Sequence, residues 1–291
     1  MPDVFRHAPP PGLLLASDLG PRCDRALERT KQLAAEFRVP VEVIAVHQPA
    51  RTPGDVLPWM EGGDALAREE GAARAEVDRE FAGSGLRAQL RFASGQVDDA
   101  IVQAADTLPG WLVVTGSARG GGFARVLLGS TVERVARAIA QPLLVVRRRV
   151  RGPYRSILVG VDGSDASRRA LQLAAALFPD RPIVAFHVRE GMAALDDEVA
   201  AEVDLERFVD ACGLAPGARA NVEVAVGEGG PEAVLARYVR ANANAIDLAV
   251  LGLRAEPVLR RLLMGSRSEQ LLQDFACDTL LVPDAGRARD D

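Results

Sequence analysis

Two segments of the chain repeat the same spacing of glycine and serine. Each begins with a glycine, and a Gly-Ser pair follows at the same distance in both. The members are Gly116, Gly129 and Ser130 in the first segment, and Gly252, Gly265 and Ser266 in the second. An apolar run typical of a buried strand precedes each segment, and helical apolar spacing follows each Gly-Ser pair. Because a glycine turn between a strand and a helix start presents free N–H groups and a favourable dipole to an anion, the spacing predicts phosphate binding.

Acidic and imidazole side chains end other apolar runs in both halves of the sequence. Asp18 and Asp162 follow the first run of each half, and His47 and His187 follow the second. Ligands of open parallel sheets bind outside the carboxyl ends of the strands, where the strand order reverses. An aspartate there can accept a hydrogen bond from a ribose hydroxyl or a base amino group, which beside a phosphate loop suggests a nucleotide. Simpler interpretations stay open: the aspartates cap the turns that follow, the histidines are structural, and the glycines serve tight packing.

Short apolar runs alternate with segments of helical spacing along the whole chain. This alternation predicts an α/β fold with doubly wound parallel sheets. The pattern restarts after residues 147–153, a basic stretch ending in Gly-Pro that we interpret as a linker. The repeat is a whole domain long, too long for a solenoid unit. We therefore expect two tandem domains, at residues 10–148 and 154–284.

Composition argues against several classes of function. Lys31 is the only lysine in the chain, whereas a Walker-type phosphate loop needs a lysine on the phosphates, so P-loop NTPases and kinases are disfavoured. No Gly-x-Gly-x-x-Gly follows a first strand, which argues against a dinucleotide-binding domain. A net charge of −5 argues against nucleic acid as the main partner. With only three histidines, a histidine metal site is not expected.

Cysteine use and hydropathy indicate the compartment. The three cysteines are odd in number and widely spaced, which fits reduced thiols in a cytoplasm and neither a disulfide framework nor a zinc site. The longest apolar runs have the length of strands, so no membrane span is expected. The N-terminus lacks the basic-then-apolar pattern of a signal peptide. We expect a cytoplasmic protein without a membrane partner.

The chain resembles a tandem universal stress protein over nearly its whole length. The two glycine-serine segments match the family pattern Gly-x2-Gly-x9-Gly-(Ser/Thr) at its first glycine and at its final pair, and Asp18 and Asp162 match the strand-one aspartate. The resemblance implies an adenine nucleotide alpha hydrolase-like fold that binds ATP, ADP or AMP, with Mg²⁺ arriving on the nucleotide. It implies that Asp18 or Asp162 faces the adenosine and that Val43 or Ile183 packs on the adenine. The glycine loops and Gly-Ser pairs would take the phosphates.

The sequence departs from the family pattern at the second glycine in both halves. Arg119 stands there in the first half and Ala255 in the second. In the first half, Gly120 and the two glycines after it let the backbone shift by one residue and keep the site open, and Arg119 either pairs with a phosphate or fills the pocket. In the second half, the alanine adds a methyl group where the backbone approaches a ligand. The family has a branch that does not bind ATP, and this branch stays open as an alternative.

The resemblance also implies an assembly and a role. Single-domain members pair through their last strands, so residues 143–146 and 280–282 are expected to pair within one chain as an intrachain pseudo-dimer. No base, nucleophile or lysine stands at the glycine loops, so we expect a stress-response sensor or signalling protein with an unknown protein partner and little or no hydrolysis, and not an enzyme. The alternatives are a nucleotide-free regulatory scaffold and an adenylating synthetase, whose Ser-Gly-Gly-x-Asp-Ser loop is absent. Association of two chains into a homodimer is left open.

Overall fold

Strands and helices alternate along the chain, as its apolar pattern predicts. The computed structural model describes residues 9–20, 24–48, 64–117, 130–189, 195–242, 245–253 and 277–284. Most of each glycine loop, at residues 118–129 and 254–276, lies outside this part of the chain. The predicted phosphate-binding residues outside it are Arg119, Gly120, Gly129, Gly265 and Ser266.

The described elements form two series of the same kind. The first series is β1 (Leu13–Ala16), α1 (Asp24–Phe37), β2 (Val41–His47), α2 (Asp64–Phe81), β3 (Ala88–Ser94), α3 (Val97–Asp106), β4 (Leu112–Gly116), α4 (Ser130–Ala138) and β5 (Leu143–Val146). The second is β6 (Ile157–Val161), α5 (Asp165–Leu177), β7 (Ile183–Arg189), α6 (Leu195–Asp210), α7 (Pro216–Arg219), β8 (Val222–Glu228), α8 (Pro231–Ala241), β9 (Leu248–Leu253) and β10 (Asp278–Pro283). The short helix α7 is too brief to belong to the alternation of apolar runs and helical segments that the sequence shows.

The ten described strands form one sheet in the order β3-β2-β1-β4-β5-β10-β9-β6-β7-β8. Within each half the strands are parallel, which confirms the α/β prediction. The halves meet where β5 pairs with β10 in antiparallel direction, with Leu144 opposite Leu280. The predicted pairing of the last strands within one chain is therefore confirmed. The central strands are apolar throughout because helices cover both faces of the sheet.

The connection between the halves is packed into their junction. The carboxylate of Asp278, at the start of β10, is fully buried and accepts hydrogen bonds from the backbone N–H of Arg147 (2.7 Å) and from the hydroxyl of Tyr154 (2.8 Å). Arg29 of α1 lies with its Nε 3.4 Å from the same carboxylate and with its guanidinium 4.0 Å from the centre of the Tyr154 ring. We name these four residues the junction cluster. A buried carboxylate needs hydrogen bonds and positive charge around it. Because α1 and the segment between β5 and β6 supply these groups to Asp278, the junction cluster joins both of them to β10.

Contacts outside the junction cluster also join the halves. The ring of Phe37, at the end of α1, lies 5.8 Å from the ring of Phe178, which follows α5. Arg181 donates a hydrogen bond of 3.0 Å to Glu36 across the same boundary. A single hydrophobic cluster contains buried residues from both halves, including Leu13 and Ile157. A second cluster, on the other face of the sheet, also contains residues of both halves, so the halves share their hydrophobic core on both faces.

Candidate functional site

The strand order reverses at two places, between β1 and β4 and between β6 and β9. In both places the carboxyl ends of the two strands lie side by side, with Leu15 opposite Val114 in the first half and Val159 opposite Val250 in the second. We define the first crevice as Ser17, Asp18, Thr115, Gly116 and Ser117. The second crevice consists of the residues at the same register, Val161, Asp162, Leu251, Gly252 and Leu253. Crevices at such reversals are where open α/β sheets bind ligands.

Asp18 is exposed at the first crevice and organises the turn after β1. Its Oδ1 accepts a hydrogen bond of 2.9 Å from the N–H of Gly20, and Ser17 Oγ accepts one of 2.9 Å from the N–H of Leu19. Leu19 has a φ of 55°, which a side-chain-bearing residue adopts only where the turn holds it. The carboxylate therefore has a structural task and also remains at the surface of the crevice.

Asp162 is likewise exposed and has a second structural partner. Its Oδ1 accepts hydrogen bonds from the N–H of Ser164 at 3.0 Å and from the hydroxyl of Ser164. The Ser164 oxygen in turn accepts a hydrogen bond of 3.1 Å from the N–H of Ser167 and so caps α5. Both aspartates thus cap their turns, as the simpler interpretation of the sequence proposes. In the second half, Asp162 also contacts the residue that caps α5.

The first glycines of the two loops have different surroundings. Each glycine pairs with a residue of the last strand of its half: Gly116 lies opposite Val146, and Gly252 lies opposite Val282. A Cβ placed on Gly252 would lie 2.4 Å from the backbone carbonyl of Ala166, at the start of α5. A Cβ on Gly116 would have Ala26 Cβ, at 3.9 Å, as its nearest neighbour among the described residues. Gly252 therefore allows a close backbone approach, which is the packing role left open by the sequence, and it lies inside β9 instead of starting a loop.

The predicted adenine-packing residues lie in the hydrophobic core. Val43 is completely buried in β2 and stands opposite Leu15, and Ile183 is the first residue of β7 and is 1% exposed. In parallel strands this places Ile183 at the amino end, away from Asp162 at the carboxyl end. The structure therefore does not bring these two side chains together with the aspartates. Ser130 is the first residue of α4, after the undescribed part of the first loop.

The first crevice contains hydroxyl residues that the sequence analysis did not propose as site residues. Ser17, Thr115 and Ser117 are all partly exposed there. Their register partners in the second half are aliphatic and buried: Val161 is 5% exposed, Leu251 7% and Leu253 2%. The signal that could have found them is an alignment of the two halves on Asp18 with Asp162 and on Gly116 with Gly252.

His47 ends β2 as the sequence predicts, whereas His187 lies inside β7, and both histidines contact neighbouring elements. His187 Nδ1 lies 2.7 Å from the carbonyl oxygen of Val161 and must donate to it, because that oxygen can only accept. His47 Nδ1 lies 2.6 Å from Glu69 Oε2 and links β2 to α2. These contacts agree with structural roles. Within the described residues, no His, Cys, Asp and Glu side chains form a group of three or more that could hold a metal ion.

Comparison with known proteins identifies the family. The model of the universal stress protein family matches the chain twice, at residues 13–147 and 153–283. The chain belongs to the universal stress protein family and has its tandem form, as the sequence predicts. A curated relative, the universal stress protein Slr1230 of Synechocystis, is 30% identical over 161 residues, which are 54% of this chain and 52% of that protein. The match thus spans about half the length of the relative.

Solved structures share the fold over nearly the full chain. A universal stress protein from Archaeoglobus fulgidus matches with a TM-score of 0.70 at 22% identity, covering 95% of this chain and 97% of that one. A putative universal stress protein from Pseudomonas aeruginosa matches with a TM-score of 0.64 at 16% identity, covering 94% and 93%. At these identities the likeness shows the fold alone. Among the described helices, none combines the length and the hydropathy that a bilayer crossing requires.

Proposed function

We propose that the protein binds an adenine nucleotide, ATP, ADP or AMP, at the carboxyl-end crevices of its sheet. The observation that carries the proposal is the set of groups at the first crevice, where an exposed carboxylate (Asp18) and three partly exposed hydroxyl residues follow or end the two strands that meet at the reversal. This set can both donate and accept hydrogen bonds, as a ribose and a phosphate require. The duplicated glycine-serine spacing and the membership in the family support the same ligand.

Each part of the site has a separate task in this proposal. Asp18 accepts a hydrogen bond from a ribose hydroxyl or from the base, and the N–H groups of the glycine loop hold the phosphates. Arg119 pairs with a phosphate as a guanidinium can. Mg²⁺ enters with the nucleotide. Since no lysine stands at the glycine loops in the sequence, and Asp18 is assigned to the ribose or base and not to the phosphates, we propose that the bound nucleotide is kept and not hydrolysed.

The protein would then act as a cytoplasmic sensor or signalling protein of the stress response. In this role the bound nucleotide changes the affinity for a protein partner, so the ligand must discriminate between two states of the protein. The experiment is to purify the full chain without added nucleotide, denature it, and identify the released small molecules by mass. Calorimetric titration with Mg-ATP and an assay of phosphate release follow.

We expect bound or titratable adenine nucleotide and phosphate release at the background rate. The double variant Gly129→Glu and Gly265→Glu should abolish binding, because each new carboxylate would repel the phosphates. The matched control is Gly129→Ala with Gly265→Ala, which adds no charge. The proposal would be refuted if the glutamate variant binds the nucleotide as well as the wild type does. It would also be refuted if the wild type releases phosphate above the background rate and the glutamate variant does not.

A nucleotide-free scaffold is the second candidate, and two observations favour it. Arg119 and Ala255 replace the second glycine of the family pattern. The second crevice is lined by buried aliphatic side chains, including Leu251 and Leu253. If the purified protein carries no nucleotide and Mg-ATP gives no heat, this candidate replaces the first.

A further inference from the structure

We propose that the two halves of the protein are not equivalent, and that the first crevice alone binds the nucleotide while the second has become part of the hydrophobic core. This inference rests on the proposed nucleotide binding and adds the location and number of the sites. The strand register anchors the comparison, since Thr115 opposite Ala16 corresponds to Leu251 opposite Gly160, and the other crevice positions follow these residues in chain order.

Three positions change from hydroxyl to aliphatic side chains between the halves. The pairs are Ser17 with Val161, Thr115 with Leu251, and Ser117 with Leu253. Hydroxyl groups can bind ribose and phosphate oxygens, whereas aliphatic groups cannot replace the hydration of a charged phosphate. A phosphate at the second crevice would therefore lose water without gaining partners there from these three side chains.

The aliphatic side chains of the second half lie on both faces of the sheet, Val161 in one hydrophobic cluster and Leu251 with Leu253 in the other, and Leu251 is accompanied by a compensating change. A Cβ on Gly160 would lie 2.9 Å from Leu251 Cδ2, so the glycine makes room for the leucine. The counterpart of Gly160 in the first half is Ala16, which stands opposite Thr115. Leu251 and Leu253 both belong to the hydrophobic cluster on their face of the sheet. Three of the five residues of the second crevice therefore belong to the hydrophobic core.

The helix start is also closer to the strand end in the second half. There the backbone of α5 lies against Gly252, with Ala166 O only 2.4 Å from the position of an added Cβ. Asp162 is bound to Ser164, the residue that caps the same helix. At the first crevice, the described neighbour nearest to a Cβ on Gly116 is the Ala26 side chain at 3.9 Å. Among the residues that the structure describes, a ligand group thus has more room beside Gly116 than beside Gly252.

Photolabelling of the full wild-type chain locates the site without any substitution. The protein is equilibrated with azido-ATP and Mg²⁺, irradiated and digested, and the labelled peptides are mapped by mass, while calorimetry with Mg-ATP counts the sites. We expect one nucleotide per chain and label confined to residues 13–147. Two nucleotides per chain, or label within residues 153–283, would overturn the inference and leave the proposed nucleotide binding intact. Absence of any Mg-ATP binding would overturn both.

Substitutions then test the hydroxyl residues. The double variant Thr115→Leu and Ser117→Leu gives the first crevice the residues of the second, and we expect the affinity for Mg-ATP to fall by about tenfold or more. The matched control is Leu251→Met with Leu253→Met, which changes the same two positions of the second half at nearly constant volume and should leave the affinity unchanged. A fall in affinity in the control alone would assign the site to the second half.

Discussion

Alanine substitutions at Gly252 and Gly116 test the asymmetry of the two halves by stability alone. An added Cβ at Gly252 meets the backbone carbon and oxygen of Ala166 at 2.4 Å and the nitrogen of Ser167 at 2.7 Å. Ordinary van der Waals contact begins near 3.4 Å, so the start of α5 must move by about 1 Å. These atoms belong to the backbone of a capped helix, so the clash cannot be relieved by a change of side-chain rotamer. Overpacking of this kind costs about 1–3 kcal/mol.

The same substitution at Gly116 has the opposite expected sign. Neither glycine has a positive φ, so alanine can adopt the backbone conformation at both positions. At Gly116 the nearest described neighbour would lie at an ordinary 3.9 Å. Alanine then stabilises the protein by about 0.4–1 kcal/mol, because it reduces the entropy of the unfolded chain. The two variants should therefore differ by about 1.5–4 kcal/mol.

Urea unfolding followed by circular dichroism measures this difference. A change of the midpoint at constant slope reports a change in the free energy of unfolding. We expect Gly252→Ala to unfold at lower urea than the wild type and Gly116→Ala at equal or higher urea. If Gly252→Ala is as stable as the wild type, the close approach of α5 to β9 does not exist and the reasoning fails.

Three further predictions concern the junction and the titrating groups. Asp278→Ala should lower the free energy of unfolding by about 3–5 kcal/mol, because it leaves the buried guanidinium of Arg29 without its counter-charge. The control Asp284→Ala breaks the partly exposed pair with Arg169 and should lower it by only about 0–1 kcal/mol. If urea unfolding shows similar losses for the two variants, the prediction is wrong. Burial and the neighbouring Asp278 raise the pKa of the Cys277 thiol from 9.0 to about 12, so the stability that its neutral form provides is present below pH 9 and is lost as the pH rises towards 12. Cys277→Ala should therefore reduce the alkaline loss of stability, and in the native protein Cys277 should resist alkylation at neutral pH, as mapped by mass; rapid native modification would contradict its burial. Burial raises the pKa of Asp247, but hydrogen bonds from Arg155 outweigh that effect and lower it overall, so its stabilisation is present above the ordinary carboxyl pKa and is lost as the pH falls through the lowered value. Asp247→Asn should flatten the acid limb of a stability–pH curve, and an unchanged limb would contradict the assignment.

The strands were predictable because parallel central strands are buried on both faces and appear as continuous apolar runs. Their ends were less predictable, since the backbone ladder continues through polar residues. The run that predicts β7 ends at Phe186, but the strand extends to Arg189, with His187 opposite Val161 and Val226. The helix α7 was missed because its four residues are too few to show helical apolar spacing.

The junction cluster was beyond sequence reasoning for a physical reason. Asp278 and Arg147 are far apart in the chain, and charged residues are almost always exposed, so a pattern-based interpretation assigns them to solvent. Their burial depends on the antiparallel pairing of β5 with β10, which brings the start of one strand beside the end of the other. Only the register of β5 with β10 reveals this burial.

The positions of the site residues were partly predictable for the same reason. The aspartates follow the first strand of each half, and parallel topology alone brings that strand end beside the glycine at the end of the fourth. The side chains of Val43 and Ile183 were harder to place, because an apolar residue inside a strand is compatible with both the core and a ligand pocket. Their almost complete burial shows that core packing determines their environment.

The antiparallel junction suggests why the second half is needed even if it binds no ligand. Because β10 runs against β5, Asp278 lies at the carboxyl end of the first half, on the same edge of the sheet as the first crevice. There Arg25, in the first turn of α1, donates a hydrogen bond of 2.7 Å to the carbonyl of Arg147, and Arg29, one turn later, donates one of 2.9 Å to the carbonyl of Gly152. The start of α1, which lies beside Gly116, is thus held by residues that the second half orders. The loss of hydroxyl groups from the second crevice is therefore compatible with retention of the whole second half, since its last strand still supports the helix that borders the first crevice.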